Sequence, residues 1–109
     1  MKDLSKKTLC TLVNGIKKKE FTSEEVTNSY ISNSKNAKKL NTYITTNFDK
    51  ALDQAKNFDK RRNFDGLLSG IPIAVKDLFC TKDIKTTAGS KMLNNFIPTY
   101  ESTVTSNLW

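Results

Sequence analysis

The feature that most constrains the fold of this chain is an apolar run at residues 71–75 that ends directly at Lys76. An apolar run without alternating polar residues is typical of a strand that is buried on both faces. Such a strand needs hydrogen-bonding neighbours along both of its edges. Residues 41–46 are the other segment with a strand-like composition, and a single partner cannot satisfy both edges. We therefore expect an α/β fold whose core is incomplete within this chain.

Lys76 follows the apolar run, and two interpretations of it remain open. A lysine that emerges from a buried strand can enter a loop-lined site and lose hydration, which favours the neutral amine and allows it to act as a base. Alternatively, Lys76 is simply the first solvated residue after the strand. The chain contains no histidine, which excludes Ser-His-Asp and Cys-His catalytic groups. Any acid–base chemistry must then use lysine, carboxylate or tyrosine.

Hydrophobic spacing in the first half of the chain predicts three helices. The first helix is expected to follow a cap at Ser5. Thr22 and Glu25 have the spacing of a capping box, which predicts the start of the second helix. The third helix is expected to begin near Thr46 or Asn47. The apolar faces consist of Leu9, Leu12, Val13 and Ile16 in the first helix, and Phe48, Ala51, Leu52, Ala55 and Phe58 in the third. The expected architecture is three N-terminal helices followed by the first strands of a mixed sheet.

The two cysteines, Cys10 and Cys80, form neither a disulfide framework nor a zinc-binding pair by their spacing. Cys80 lies close to Lys76 in sequence, but a small buried thiol is a commoner state for such a residue than a nucleophile. No segment approaches the roughly 18 apolar residues that a membrane span requires. The N-terminus also lacks the apolar stretch of a signal peptide. We therefore expect a reduced, cytoplasmic protein without a metal site.

The formal net charge of +7 raises the question of a nucleic-acid partner. All but two of the 18 basic residues are lysine, and they are dispersed along the chain. This distribution favours solvated surface lysines over a dedicated phosphate-binding face. The four glycines are too dispersed to form a phosphate-cradling loop. A small basic module that binds RNA or protein without catalysis remains the alternative to an enzyme.

Four motifs in the second half of the chain are similar to those of a known family. They are Gly-Ile-Pro-Ile-Ala-Val-Lys-Asp at 70–77, Cys-Thr-Lys at 80–82, Thr-Thr-Ala-Gly-Ser at 86–90 and Pro-Thr-Tyr-Glu-Ser-Thr-Val at 98–104. In this order they resemble the amidase signature family, and within it most closely the A subunits of tRNA-dependent amidotransferases. A stand-alone amidase is the alternative within the family. Asp83 stands where many relatives have glycine, and aspartate can tolerate a left-handed backbone there at modest cost.

The resemblance implies a catalytic group of one serine, a second serine joined by a cis peptide bond, and a lysine. By motif, the lysine is Lys76. Both serines belong to a Gly/Ser-rich segment that this sequence does not contain. The resemblance therefore implies that residues 1–109 are the N-terminal part of a single amidase domain, truncated before its catalytic segment and inactive alone.

The resemblance also implies a reaction and a set of partners. The parent A subunit would hydrolyse glutamine through an acyl-enzyme and supply ammonia for converting tRNA-bound glutamate into glutamine during translation. Its partners would be the B and C subunits of a heterotrimeric amidotransferase, a carbon–nitrogen ligase in which charged tRNA is held mainly by a partner subunit. ATP and magnesium would be used by a partner subunit, so no cofactor is expected in this chain. Neither a membrane nor DNA is an expected partner.

Overall fold

The computed structural model describes residues 3–109, which form two compact units. The first unit comprises residues 3–42 and 48–72, and the second comprises residues 43–47 and 73–109. The α-helices of the described residues are α1 (Leu9–Lys17), α2 (Ser23–Asn36), α3 (Phe48–Arg61) and α4 (Thr103–Ser106). Short 3₁₀ turns lie at Leu4–Lys6, Lys38–Leu40 and Lys91–Leu93. None of the helices in this part of the chain is long and apolar enough to cross a membrane.

The expected strands are not present, so the predicted α/β class with the first strands of a mixed sheet is wrong. Residues 3–109 contain helices, turns and irregular segments but no strand. The segment 41–46 is interrupted at its first residue, because Asn41 is left-handed (φ 49°) and its N–H closes a turn onto the Lys38 carbonyl at 3.1 Å. At the start of the segment 71–75, the Ile71 N–H bonds locally to the Leu68 carbonyl at 3.0 Å. Apolar composition does not produce a strand without a paired neighbour.

The core of the first unit is built on the apolar faces of α1 and α2. Leu12, Ile16 and Val26 are buried there together with Leu4. Burying each such side chain contributes roughly 1.5–3 kcal/mol, so this cluster stabilises the helices that supply it. The partly buried side chains packed against the cluster are Phe21, Phe58, Phe64 and Ile71.

Side-chain caps fix where α1 and α2 begin. The predicted capping box of α2 is confirmed, because Thr22 Oγ1 accepts from the Glu25 N–H at 3.1 Å and Glu25 Oε2 accepts from the Thr22 N–H at 2.8 Å. The predicted cap at Ser5 is wrong, since Thr8 caps α1 instead. Ser5 lies in the preceding 3₁₀ turn, where its N–H donates to the Asp3 carboxylate at 3.2 Å. Ser5 therefore belongs to a separate turn that ends before α1.

A carboxylate from α3 completes the start of α2. Asp59 accepts from the Ser23 N–H at 2.8 Å and from the Glu24 N–H at 2.9 Å. These donors are among the first N–H groups of the helix, which have no partner inside the helix itself. The Ser23 hydroxyl also donates to the Gly70 carbonyl at 2.6 Å. The beginning of α2 is thus held by residues that lie much later in the chain.

Two cations of the first unit make contacts at the end of α1. The Arg62 guanidinium donates to the Ile16 carbonyl at 3.0 Å and lies 5.3 Å from the Phe64 ring. The Lys17 ammonium lies 6.0 Å from the centre of the same ring. Cations at a helix C-terminus interact favourably with its unpaired carbonyl groups. Part of the positive charge of this unit therefore stabilises a helix end.

Amide hydrogen exchange is expected to separate the described residues into a protected and an exposed set. Amides in α1 to α3 lie in continuous helical ladders, whereas residues 73–101 are held by isolated loop bonds. Local opening is therefore easier in the second set. In the isolated chain, we expect residues 73–101 to exchange at least about tenfold faster than the centre of α2. Mass spectrometry of deuterated fragments measures this, and slow exchange across 73–75 would instead indicate a paired strand.

Candidate active site

Lys76 lies in the second unit at the end of the apolar run, and it is exposed to solvent. Its carbonyl accepts from the Phe79 N–H at 3.0 Å, which closes a turn directly after the lysine. Within residues 3–109, the Lys76 amine makes no hydrogen bond or ion pair. Its flanking residues, Val75 and Asp77, are both half-buried. The backbone on either side therefore determines the point from which the Lys76 side chain extends.

Asp77 is bonded through both its side chain and its backbone. Its Oδ1 accepts from the Thr87 N–H at 2.9 Å, and its Oδ2 accepts from the Thr87 hydroxyl. The Asp77 carbonyl accepts from the Ala88 N–H at 2.7 Å. Thr87 is buried, and its Oγ1 also accepts from the Gly89 N–H at 3.2 Å. We call this arrangement the Asp77–Thr87 clamp; it ties the residue after Lys76 to the loop at 86–90.

The clamp also changes the acidity of Asp77. Burial raises the pKa of this carboxyl, but hydrogen bonds from the Thr87 side chain and from the N–H groups of Thr87 and Gly89 lower it, with a further contribution from Lys85. The net result is a pKa below the ordinary value for aspartate. The sign of the linkage follows directly. The stability that this carboxylate contributes is present above the ordinary pKa and is lost as the pH falls through the lowered one.

A cleft of about 500 Å³ lies in the second unit. It is open to solvent, since Ile44, Gly89, Lys91 and Asn94 are exposed. Its wall consists of Ile44, Thr87, Gly89, Ser90, Lys91 and Asn94. Thr87 thus belongs to both the clamp and the cleft, whereas Lys76 does not line the cleft. The structure connects Lys76 to the cleft through Asp77 and Thr87.

Cys80 is half-buried and contacts residues near the end of the chain. Its thiol lies 3.6 Å from the Tyr100 hydroxyl. Its carbonyl accepts from the Ser102 N–H at 2.8 Å and from the Thr105 hydroxyl at 3.0 Å.

In the part of the chain that the structure describes, no group of three or more cysteine, aspartate and glutamate side chains is arranged to hold a metal ion.

Sequence reasoning identified Lys76 as the candidate base but gave no role to Asp77 or Thr87. Both residues lie within the motifs that carry the family resemblance. A signal was available in their chemistry, because an ionised aspartate only accepts hydrogen bonds and a threonine offers both a hydroxyl and a backbone N–H as donors. The partner of that aspartate could not be read from the sequence, since the bond joins two irregular loops.

The sequence profile of the Amidase family matches residues 25–109, which is well over half of the chain. The chain belongs to the amidase family. In this amidase chain the match begins within α2 and includes α3 as well as the motifs around Lys76. The resemblance inferred from the motifs is therefore confirmed.

Similar proteins cover the whole amidase chain. The A subunit of glutamyl-tRNA(Gln) amidotransferase from Pelagibacter ubique is 60% identical over 109 residues, which are 100% of this chain and 22% of that protein. The protein of the same name from Parvibaculum lavamentivorans is 49% identical over 111 residues, covering 100% of this chain and 23% of its own length. That from Caulobacter vibrioides is 50% identical over 108 residues, covering 97% and 22%. The chain spans less than a quarter of the length of these relatives.

Proposed function

We propose that this chain is the N-terminal part of a glutamine-hydrolysing amidase, the A subunit of a glutamyl-tRNA(Gln) amidotransferase. The observation that carries this proposal is the 60% identity to a protein of that name across the entire chain. The unbroken motif at 70–77, which ends in Lys76 and Asp77, supports the same conclusion. In this proposal, residues 1–109 belong to a single amidase domain whose Gly/Ser-rich catalytic segment lies further along the full-length protein.

Lys76 is the general base in the proposed reaction. Its neutral amine takes a proton from a bridging serine, which in turn takes the proton from the nucleophilic serine. The nucleophile attacks the side-chain amide carbon of glutamine, the carbon–nitrogen bond breaks, and ammonia leaves with the transferred proton. Water then hydrolyses the acyl-enzyme and releases glutamate. Both serines lie outside this sequence, so this chain contributes the base and its supporting loops.

The ammonia is consumed elsewhere in the proposed complex. A B subunit uses ATP and magnesium to activate glutamate on tRNA, and a C subunit completes the heterotrimer. The charged tRNA is bound mainly by a partner subunit. The excess of lysine in this chain then supplies long-range attraction for the tRNA without reading its sequence.

The substrate preference of the full-length protein distinguishes this proposal from a stand-alone amidase. The assay measures ammonia release from glutamine and from simple aliphatic amides, with purified full-length protein alone and with its B and C subunits. Preference for glutamine, together with ATP-dependent formation of glutaminyl-tRNA by the complex, supports the proposal. Efficient hydrolysis of simple amides without glutamine turnover favours a stand-alone amidase. Tight RNA binding without any amide hydrolysis favours a basic binding module.

The isolated chain is expected to hydrolyse no glutamine at any pH. Lys76 is exposed in this chain, and in the proposed reaction both serines lie outside it. A lysine that acts as a base needs a site that removes its hydration, and the remainder of the enzyme would complete that site.

Mixing the chain with a separately produced remainder of the enzyme is expected to restore some glutaminase activity. The matched control is the same mixture with the Lys76→Ala chain, and equal activity in the two mixtures would contradict the prediction.

A further inference from the structure

The backbone around Lys76 is held more firmly than its exposed side chain. The carbonyl of Lys76 accepts from the Phe79 N–H, and the next residue is fixed by the clamp through its carboxylate and its carbonyl. The Lys76 amine has no bonded partner within residues 3–109. The bonds therefore fix the backbone position from which the Lys76 side chain extends.

The other half of the clamp is anchored in a constrained loop. Thr87 is 3% exposed, so its hydroxyl and its N–H meet the Asp77 carboxylate away from bulk water. Ala88 and Gly89, which follow it, are both left-handed, with φ of 50° and 68°. A left-handed alanine persists only where surrounding contacts hold it, and the Ala88 N–H is held by the Asp77 carbonyl at 2.7 Å. The loop and the residue after Lys76 therefore fix each other.

We infer that Asp77 and Thr87 are positioning residues for catalysis. They hold the Lys76 backbone at a fixed position relative to Thr87, which forms part of the cleft wall. This inference rests on the proposed function, in which Lys76 is the base. Neither residue needs to touch the substrate's reacting atoms. Their effect is on where the base lies, and a displacement of about 1 Å at a catalytic group can cost on the order of 100-fold in rate.

Three variants of the full-length protein test the inference. Thr87→Val removes the hydroxyl that donates to Asp77, Thr87→Ser retains it, and Thr86→Val is the matched control. Thr86 is the buried neighbour of Thr87, but its hydroxyl donates to the Ile84 carbonyl at 3.2 Å and not to the clamp. We expect Thr87→Val to lower kcat for glutamine by about 10- to 100-fold, with KM changed less than about threefold. Thr87→Ser and Thr86→Val should keep kcat within about threefold of the wild type.

Measuring Lys76→Ala in the same series separates failure of this inference from failure of the proposed function. If Lys76→Ala turns glutamine over normally, the proposed function fails. If Lys76→Ala is inactive while Thr87→Val has a normal kcat, the inference alone is overturned. The same holds if Thr87→Val and Thr86→Val lose kcat equally. If Thr87→Val does not fold, Asp77→Asn decides, because it keeps the size of the side chain but removes the charged acceptor. A loss of kcat of about tenfold or more in Asp77→Asn supports the clamp, and a normal kcat overturns it.

Discussion

Replacing Lys76 with alanine in the full-length amidase is expected to lower kcat for glutamine hydrolysis by about 100- to 10,000-fold, because a positioned acid or base typically contributes this much to the rate. Lys76→Arg is expected to fail as well, because a guanidinium stays protonated near neutral pH and cannot accept a proton. Steady-state ammonia release at saturating glutamine measures the effect. Because Lys76 is exposed in this unit, both variants should fold, and under the proposed function they should still assemble with the partner subunits.

Lys82→Ala is the matched control for the Lys76 variants. Lys82 is also exposed in the second unit, but it lies outside the position that follows the apolar run. It should retain most of the activity. Near-normal rates for Lys76→Ala or Lys76→Arg would instead show that Lys76 is only the first solvated residue after an apolar segment.

The Gly70→Ala variant is expected to lower the free energy of unfolding by about 2–5 kcal/mol. Gly70 is left-handed (φ 79°), and an alanine Cβ there would lie 2.5 Å from the nearest atom of the Phe58 ring. The left-handed backbone costs a non-glycine residue roughly 1–2 kcal/mol. Forcing the ring aside adds about 1–3 kcal/mol. Denaturant unfolding, monitored by circular dichroism, measures the loss.

Gly89→Ala separates the two contributions to that loss. Gly89 is also left-handed (φ 68°), but an added Cβ meets no atom within 4 Å. Its expected loss is therefore the backbone cost alone, roughly 1–2 kcal/mol. Equal losses at the two glycines would show that Phe58 moves aside without cost and that the close packing at Gly70 is unimportant.

Local sequence patterns predicted the helical half well, because the relevant interactions are short in sequence. The capping box at Thr22 and Glu25 lies within one helical turn, and the burial of Leu12 and Ile16 follows from their spacing. The left-handed backbone considered for Asp83 is present, with φ 60°. The capping box and the helical spacing depend on neighbours a few residues away, which are visible in the sequence. The left-handed backbone at Asp83 was considered from the family resemblance instead.

The predicted strands failed for the opposite reason. Whether residues 71–75 form a strand depends on a partner edge, and no periodicity within the segment can reveal whether that partner exists. The Asp77–Thr87 clamp was missed because it joins two irregular loops, which have no repeating pattern to compare. The apolar run left two interpretations of Lys76 open, and the resemblance to the amidase motifs singled it out, whereas no pattern in the sequence pairs Asp77 with Thr87.

The bond between Asp59 and the start of α2 has a consequence for how the chain folds during synthesis. Asp59 lies 36 residues after Ser23 and accepts a hydrogen bond from the Ser23 N–H. At a translation rate of about 5–20 residues per second, Asp59 is added roughly 2–7 s after Ser23. Until then, the first turn of α2 has the Thr22 and Glu25 capping box but lacks its long-range partner. The growing chain therefore holds the start of α2 with the capping box alone at first, and the two bonds to Asp59 are added after α3 has been synthesised.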